Sequence, residues 1–459
     1  MSQVPNDWKS ADVTAIFKKG HKSDPGNYRP VSLTCVICKV LEAIVRDIIV
    51  DHMTAYELYS NCQHGFRQKR SCVTQLLEVM EELTRILDDK NCIDIVYFDF
   101  KKAFDSVPHE RLLVKLECYG ITGNVVRWIR DFLTNRKQRV RVGNVHSDST
   151  EVLSGVPQGS ILGPVLFTIF INDLPDLVQS TCKVFADDTK QYDVPQRYQT
   201  IQNDIDNLQK WSDKWNLYFK VSKCKVLHMG KNNPRHDYSM MVNDEMKTVM
   251  KCEEEKDLGV TFDDRLSFNK HIQTIINKAN KMLGIIKRTF SYLDNDTFTK
   301  LYKALVRPQL EYANVIWHPY LKRQSAAIER VQRRATKLVK ALKNMTYVDR
   351  LRALNLPTLK SRRLRSDLIQ TYKIFQGIDN VKVESVFKKS TTNVTRKNTD
   401  KIFIEFSKTN TRKHCFSNRV APSWNTLTDD VKNAQYINTF KNLLDVQKLM
   451  TESLYLYDN

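Results

Sequence analysis

Hydrophobic positions along this chain follow two regimes. Up to about residue 268 they form short runs separated by polar turns. Residues 93–98, Ile-Asp-Ile-Val-Tyr-Phe, are rich in β-branched and aromatic side chains, which predicts a buried strand rather than a helix core. Residues 12–18, 138–142 and 226–229 read as further strands, and 183–192 as a hairpin turning at Asp187-Asp188. Residues 20–30 form a polar loop around Pro25-Gly26, and 31–53 a helix-rich stretch. Helices are expected over 78–87, 109–134 and 204–215. A Gly/Pro-rich loop at 154–164 leads into an apolar helix ending near Leu174. After residue 268 the period lengthens. Ile272, Ile276, Ala279, Leu283 and Ile286 recur at helical spacing, a second helix covers about 295–306, and a third carries Ile328, Val331, Ala335, Leu338 and Leu342 on one face. Residues 388–400 read as a linker, and 366–459 as a whole give no clear pattern.

Composition narrows the class. The 459 residues are 41% hydrophobic, which supports a sizeable core and excludes wholesale disorder. The longest apolar run, 161–171, is broken by Gly163, Pro164 and Thr168, and falls short of the ~20 residues of a membrane span. No membrane partner is therefore expected, and no signal-peptide pattern opens the chain. Ten thinly spread cysteines suggest an intracellular, reducing setting, with nucleus or cytoplasm left open. Cys35 and Cys38 form one CxxC, read as part of a helix or its start, with zinc as the alternative.

The net charge of +20 points to a polyanionic partner, nucleic acid before an anionic membrane surface. Residues 319–365 hold fourteen Lys or Arg against two Asp or Glu. Opposite the apolar face of the third helix stand Arg330, Arg333, Arg334 and Lys337. So one-sided a density favours phosphate binding over a merely solvated helix face.

The candidate chemistry lies in carboxylates. Four Asp-Asp pairs occur. Asp88-Asp89, Asp263-Asp264 and Asp429-Asp430 are expected to be solvated turn residues. Asp187-Asp188 differs, because strand-like Val184-Phe185-Ala186 precedes it and a second extended segment follows. A tight turn would thrust both carboxylates out at a sheet end. Asp99 closes the buried strand 88 positions earlier, where an uncompensated carboxylate is costly; a satisfied turn cap is its alternative. If the two segments meet, their carboxylates suit a pair of Mg²⁺ ions about 3.5–4 Å apart, the arrangement that joins nucleotides.

The run Val96-Tyr97-Phe98-Asp99-Phe100-Lys101-Lys102-Ala103-Phe104-Asp105-Ser106-Val107 resembles the first catalytic motif of reverse transcriptases. Ser154-Gly155-Val156-Pro157-Gln158-Gly159-Ser160-Ile161-Leu162-Gly163-Pro164 resembles the second, and Phe185-Ala186-Asp187-Asp188 the third. The wording is similar to that of non-LTR (LINE-type, jockey-like) retrotransposons. Trp8-Lys9, Phe17-Lys18-Lys19-Gly20, Asn27-Tyr28-Arg29-Pro30-Val31-Ser32-Leu33 and Gln63-His64-Gly65-Phe66-Arg67 are similar to that family's upstream and fingers motifs. Lys223-Cys224-Lys225 and Asp257-Leu258-Gly259-Val260 are similar to its later palm motifs. The resemblance runs in order over about residues 5–345, and Phe416-Ser417-Asn418-Arg419 with Trp424-Asn425 resembles the tail of jockey-type elements.

That resemblance implies an α+β right-hand polymerase. Fingers would cover 1–90, an antiparallel-sheet palm 91–268, a basic helical thumb 269–365, and a C-terminal extension of unknown fold 366–459. It implies two Mg²⁺, with Mn²⁺ as substitute, held by Asp99 and Asp187 with Asp188 beside them. Arg29 would clamp the triphosphate, a task for a guanidinium fork. Lys19 or Lys18 would assist it. Gln158-Gly159 would pass against the nucleotide, where only Gly permits close approach. The Phe104 ring would reject a 2′-hydroxyl, with a plain core Phe as alternative. Lys223 would protonate the departing pyrophosphate, with an ordinary exposed lysine as alternative. Asp105 is expected to be structural. Lys220 stands where relatives often carry Asn.

The implied partners are an RNA template, a DNA primer and dNTPs. The endonuclease that complete elements carry upstream is not expected here, so one acting in trans is left open, and neither a Cys/His array nor an RNase H acidic set is evident. Two rivals stand beside this reading: a silent mobile-element relic that binds RNA, and a nucleotide cyclase, for which the fingers motifs and basic helices would have no purpose.

Overall fold

The computed structural model describes residues 3–242, 244–389 and 401–447. The chain divides into two compact units. One comprises Met1–Ser71, Asp94–Val226 and Pro234–Cys252; the other Cys72–Ile93, Leu227–Asn233 and Glu253–Asn459.

The strands of the first unit that position the site are β1 (Ser10–Phe17), β2 (Tyr28–Leu33), β3 (Ile93–Phe98), β4 (Arg136–Val142), β5 (Val145–His146), β6 (Thr150–Val152), β7 (Thr181–Phe185) and β8 (Asp188–Asp193). One sheet runs β2-β1-β4-β5, with β6 also on β4. In a second sheet β3 and β7 flank β8, both antiparallel to it. The expected strand at 93–98 is there, and its side chains are buried on both faces but for half-buried Tyr97, as a near-continuous apolar run requires. Behind this sheet pack the helices Gly163–Phe170 and Tyr198–Trp215, through Phe167, Phe170, Ile201, Ile205 and Leu208.

The single helix expected over 109–134 is two, His109–Cys118 and Gly123–Leu133. Gly120 and Gly123 both take left-handed backbone (φ +80° and +66°), which ends one helix and starts the next. Cys38 is buried in the helix Val36–Ala55, where burial and then the nearby Glu42 push its thiol up to about 12. That is the reverse of what a metal thiolate needs.

The second unit is mainly helical. In the helix Asn269–Thr289, Ile272, Ile276, Ala279, Leu283 and Ile286 are buried, as their spacing predicts. The helix Lys322–Ala335 likewise buries Ile328, Val331 and Ala335 and leaves Arg330, Arg333 and Arg334 exposed, with Lys337 exposed just beyond. The described part of the C-terminal region is also ordered around helices. Phe375 of Leu359–Phe375 stacks on Trp424 of Phe416–Asn425 at 5.2 Å, and Tyr372 stacks on Phe440 at 4.2 Å. Within Phe416-Ser417-Asn418-Arg419, Ser417 donates to Glu81 Oε2 (2.8 Å) and Arg419 grips both oxygens of Asp367 at 2.9 Å. The tail motif is thus a set of ties. Most of the linker expected at 388–400 lies outside the described residues.

Two of the Asp-Asp pairs set aside as solvated are structural caps. Asp88 is buried and accepts from the Lys408 and Thr409 amides. Asp263 accepts from the Arg265, Ser267 and Phe268 amides, closing the turn before the helix Asn269–Thr289.

Arg412 donates to Glu81 at 2.7 Å and to Glu405 at 2.6 Å, and its side chain and that of Glu81 are almost fully buried. Arg412→Ala leaves a buried carboxylate uncompensated and is expected to cost about 3–5 kcal/mol of unfolding free energy. Urea unfolding with an unchanged midpoint would contradict this. Among the described residues, no helix is long and apolar enough to cross a membrane.

Candidate active site

The site assembles within the first unit around the hairpin of β7 and β8. Phe185 pairs with Asp188, so Ala186 and Asp187 form a two-residue turn. Ala186 takes left-handed backbone (φ +53°), a conformation that L-residues other than Gly rarely adopt. The turn projects Asp187 towards Asp99, which follows the last residue of β3. Burial pushes the Asp187 carboxyl above its ordinary 3.8; its own backbone N–H pulls it down, the Asp99 charge raises it again, and Arg29 and Lys18 oppose that rise. Asp188 is exposed at the first position of β8. Among the described residues, no three His, Cys, Asp or Glu side chains form a ready-made metal cluster.

Lys223 lies against Asp99, its Nζ 3.3 Å from both carboxylate oxygens. The Lys220 amide donates to the Asp99 carbonyl at 2.7 Å, so the segment carrying Lys223 is tied to the strand end that carries Asp99. Lys220 thus contributes through its backbone.

Arg29 sits on β2 opposite Ile16 of β1. Side chains alternate along a strand, so continuing from Ile16 puts Lys18 on the side of Arg29 and Lys19 on the other. The charge that reaches Asp187 is that of Lys18. Of the two lysines the sequence left open, Lys18 is therefore brought to the carboxylates.

The loop 154–164 is stitched to both neighbouring segments. The Ser32 amide of β2 donates to the Gln158 carbonyl (2.7 Å), and the Val156 amide to the Phe104 carbonyl (2.7 Å). The Gln158 carboxamide donates to Asp105 Oδ1 at 2.8 Å. Buried Glu42 accepts from the Ile161 and Leu162 amides (2.7 and 3.1 Å), a carboxylate set at the start of the helix Gly163–Phe170. Phe104 is half-buried, with its ring stacked on Phe167 at 4.3 Å. Asp105 is the structural hydrogen-bonder it was expected to be, accepting from Gln158. Glu42 was missed, since the amides it serves lie 119 and 120 residues along the chain.

Gly159 is held at φ +125°, and a Cβ there would lie 2.4 Å from the Ser32 carbonyl oxygen. Gly159→Ala is expected to push the loop off β2 and lower kcat/KM for nucleotide by roughly 10²-fold, the cost of about 1 Å of misplacement. Retention of kcat/KM within threefold would refute this close-approach role.

The family model described as Reverse transcriptase (RNA-dependent DNA polymerase) matches residues 16–293. The chain belongs to the reverse transcriptase family. Its similar curated proteins include the probable RNA-directed DNA polymerase from transposon X-element of Drosophila melanogaster, 28% identical over 74% of this chain and 38% of that protein. The enzyme from mobile element jockey of Drosophila funebris is 29% identical over 66% of this chain and 34% of that protein. This reverse transcriptase chain thus spans little more than a third of the length of those relatives. Among solved structures, apo telomerase from Candida tropicalis aligns over 74% of this chain and 59% of that chain, at 8% identity and a TM-score of 0.42. Family membership agrees with the α+β right-hand polymerase architecture expected from the motifs.

Proposed function

We propose that this chain catalyses RNA-templated DNA synthesis as the polymerase region of a non-LTR retrotransposon protein. The observation that carries the reading is the Asp187 turn facing Asp99, with the charge of Arg29 reaching it and the Gln158-Gly159 loop tied through the Ser32 amide to the strand that carries Arg29. Two like charges held together, one of them buried enough to resist ionisation, call for a cation, and carboxylate oxygens suit Mg²⁺ or Mn²⁺. Asp99 and Asp187 would hold it, with exposed Asp188 at the rim. When bound, such ions supply charge neutralisation to an in-line displacement at phosphorus.

The remaining roles belong to the chain's own groups. Arg29 and Lys18 offer positive charge to a dNTP triphosphate, and Gln158-Gly159 presents backbone to the nucleotide. Phe104 bounds the sugar. Lys223 holds a proton beside Asp99, where a leaving pyrophosphate could take it. Arg330, Arg334 and Lys337, exposed on or just after one helix, suit the phosphates of an RNA template or DNA primer; Arg333 lies over the Tyr347 ring at 5.0 Å. In this assignment residues 1–90 serve as fingers, 91–268 as palm, 269–365 as thumb and 366–459 as C-terminal extension. An endonuclease would supply the primer end.

The test is Mg²⁺-dependent incorporation of labelled dTTP on poly(rA)·oligo(dT) by the purified chain. Synthesis supports the reading. Salt-dependent RNA binding by a folded chain that incorporates nothing, in Mg²⁺ or Mn²⁺, would replace it with a binding relic.

A further inference from the structure

The carboxylate-bearing turn is braced from a segment that the motif pattern assigns elsewhere. Residues 62–64 lie along the edge of β7. The Val184 amide donates to the Cys62 carbonyl at 2.9 Å, and the His64 amide to the Val184 carbonyl at 2.8 Å. Between them Gln63 turns its side chain inward, and the residue is 1% exposed. Its Oε1 accepts from the Gly65 amide at 2.7 Å and from the Ala186 amide at 3.1 Å. Both partners are N–H donors, so the oxygen of the carboxamide must face them.

The contact closes on the strained residue of the hairpin. Gly65 packs so tightly there that a Cβ would meet the Ala186 nitrogen at 2.5 Å. The segment is also pinned to itself. Arg67 donates to the Ser60 carbonyl (2.7 Å) and lies over the Tyr59 ring, and Arg70 donates to the Asn61 carbonyl (2.6 Å). Gln63 Nε2 is buried with no hydrogen-bond partner among the described residues. A side chain needed only for packing would be cheaper without that orphaned donor, so the acceptor is what the position retains.

We propose that Gln63 is a positioning residue, whose carboxamide oxygen, with Gly65 wedged beside it, fixes the Ala186-Asp187 turn and thereby the spacing of Asp187 from Asp99. The inference rests on the polymerase reading of that carboxylate pair. Gln63 is buried behind the turn. It acts through the backbone of the residue before Asp187.

The test compares wild type, Gln63→Met and Gln63→Glu in the full chain. Met keeps the volume and removes the acceptor; an ionised Glu keeps the acceptor and adds charge. Gln63→Met is expected to lower kcat by roughly 10- to 100-fold, as for a catalytic group displaced by about 1 Å. Primer–template Kd should stay within about twofold, since no phosphate contact is removed. Without any metal, amide exchange across 181–193 should quicken, and Mn²⁺ binding read by paramagnetic resonance should weaken. Gln63→Glu, which keeps an oxygen facing the Gly65 and Ala186 amides, should recover most of kcat.

Unchanged kcat, exchange and Mn²⁺ affinity in Gln63→Met would overturn the proposal. So would a Gln63→Glu protein no better than Gln63→Met at any pH, or a parallel loss of primer–template binding and cooperative melting, which would mark Gln63 as packing alone. A folded wild type that incorporates nothing would sink the polymerase reading, and this inference with it.

Discussion

Asp187→Asn is expected to abolish dTTP incorporation, by about 10³-fold or more, since it removes a charged oxygen from the pair proposed to hold the metal. It should leave primer–template binding intact, because Asp187 offers no contact to a phosphate. A second effect has the opposite sign. The folded protein holds the Asp187 proton more tightly than an unfolded chain does, because burial and Asp99 disfavour its charge. A group with a raised folded value stabilises the fold at acid pH, and that contribution is lost as pH rises from the ordinary 3.8 through the folded value. At neutral pH without metal, the ionised carboxylate is therefore a burden that Asn lifts. Asp187→Asn should melt at a higher temperature than wild type at pH 7.5, with the difference shrinking towards pH 4. Incorporation within tenfold of wild type would remove Asp187 from the metal pair. A lower melting temperature at pH 7.5 would contradict the electrostatic account of the site.

The features legible in the sequence are those whose physics is local. The strand at 93–98 announces itself by six residues of β-branched and aromatic composition, and the hairpin at 187–188 by strand residues on either side of a polar pair. The helix face of Ile272, Ile276, Ala279, Leu283 and Ile286 repeats every three or four positions and is buried as that period requires. Gly120 and Gly123 carried a local signal too, and a reading of overall helical periodicity passed over it. What stayed hidden depends on contacts across long stretches of chain. Glu42 looks like a polar position on an amphipathic helix, yet its acceptor serves amides 119 and 120 residues away. Gln63 meets the Ala186 amide across 123 residues. No period or turn preference encodes such a pairing. Asp88 misled for the same reason, because the Lys408 and Thr409 amides that occupy it lie more than 300 residues on.

Phe104→Val is expected to let ribonucleotides into the site. Phe104 lies in the short turn Ala103–Asp105. Its carbonyl takes the Val156 amide, and its neighbour Asp105 holds the Gln158 carboxamide. The ring is thus fixed beside the loop proposed to carry the nucleotide, and Phe167 supports one of its faces. A half-buried ring so supported can reject a 2′-hydroxyl by occupying its space, since discrimination by exclusion needs a wall that does not yield. Valine removes most of that wall. Discrimination between dNTP and rNTP in kcat/KM should fall by roughly 10²-fold, while dNTP use stays within about tenfold. The plain core alternative makes a different forecast. There Phe104→Val costs about 1–3 kcal/mol of stability through the lost contact with Phe167 and leaves the ratio of the two nucleotides untouched. Folding energy enters both nucleotides' rates equally and cancels in their ratio, so the ratio alone separates a wall from a packing residue.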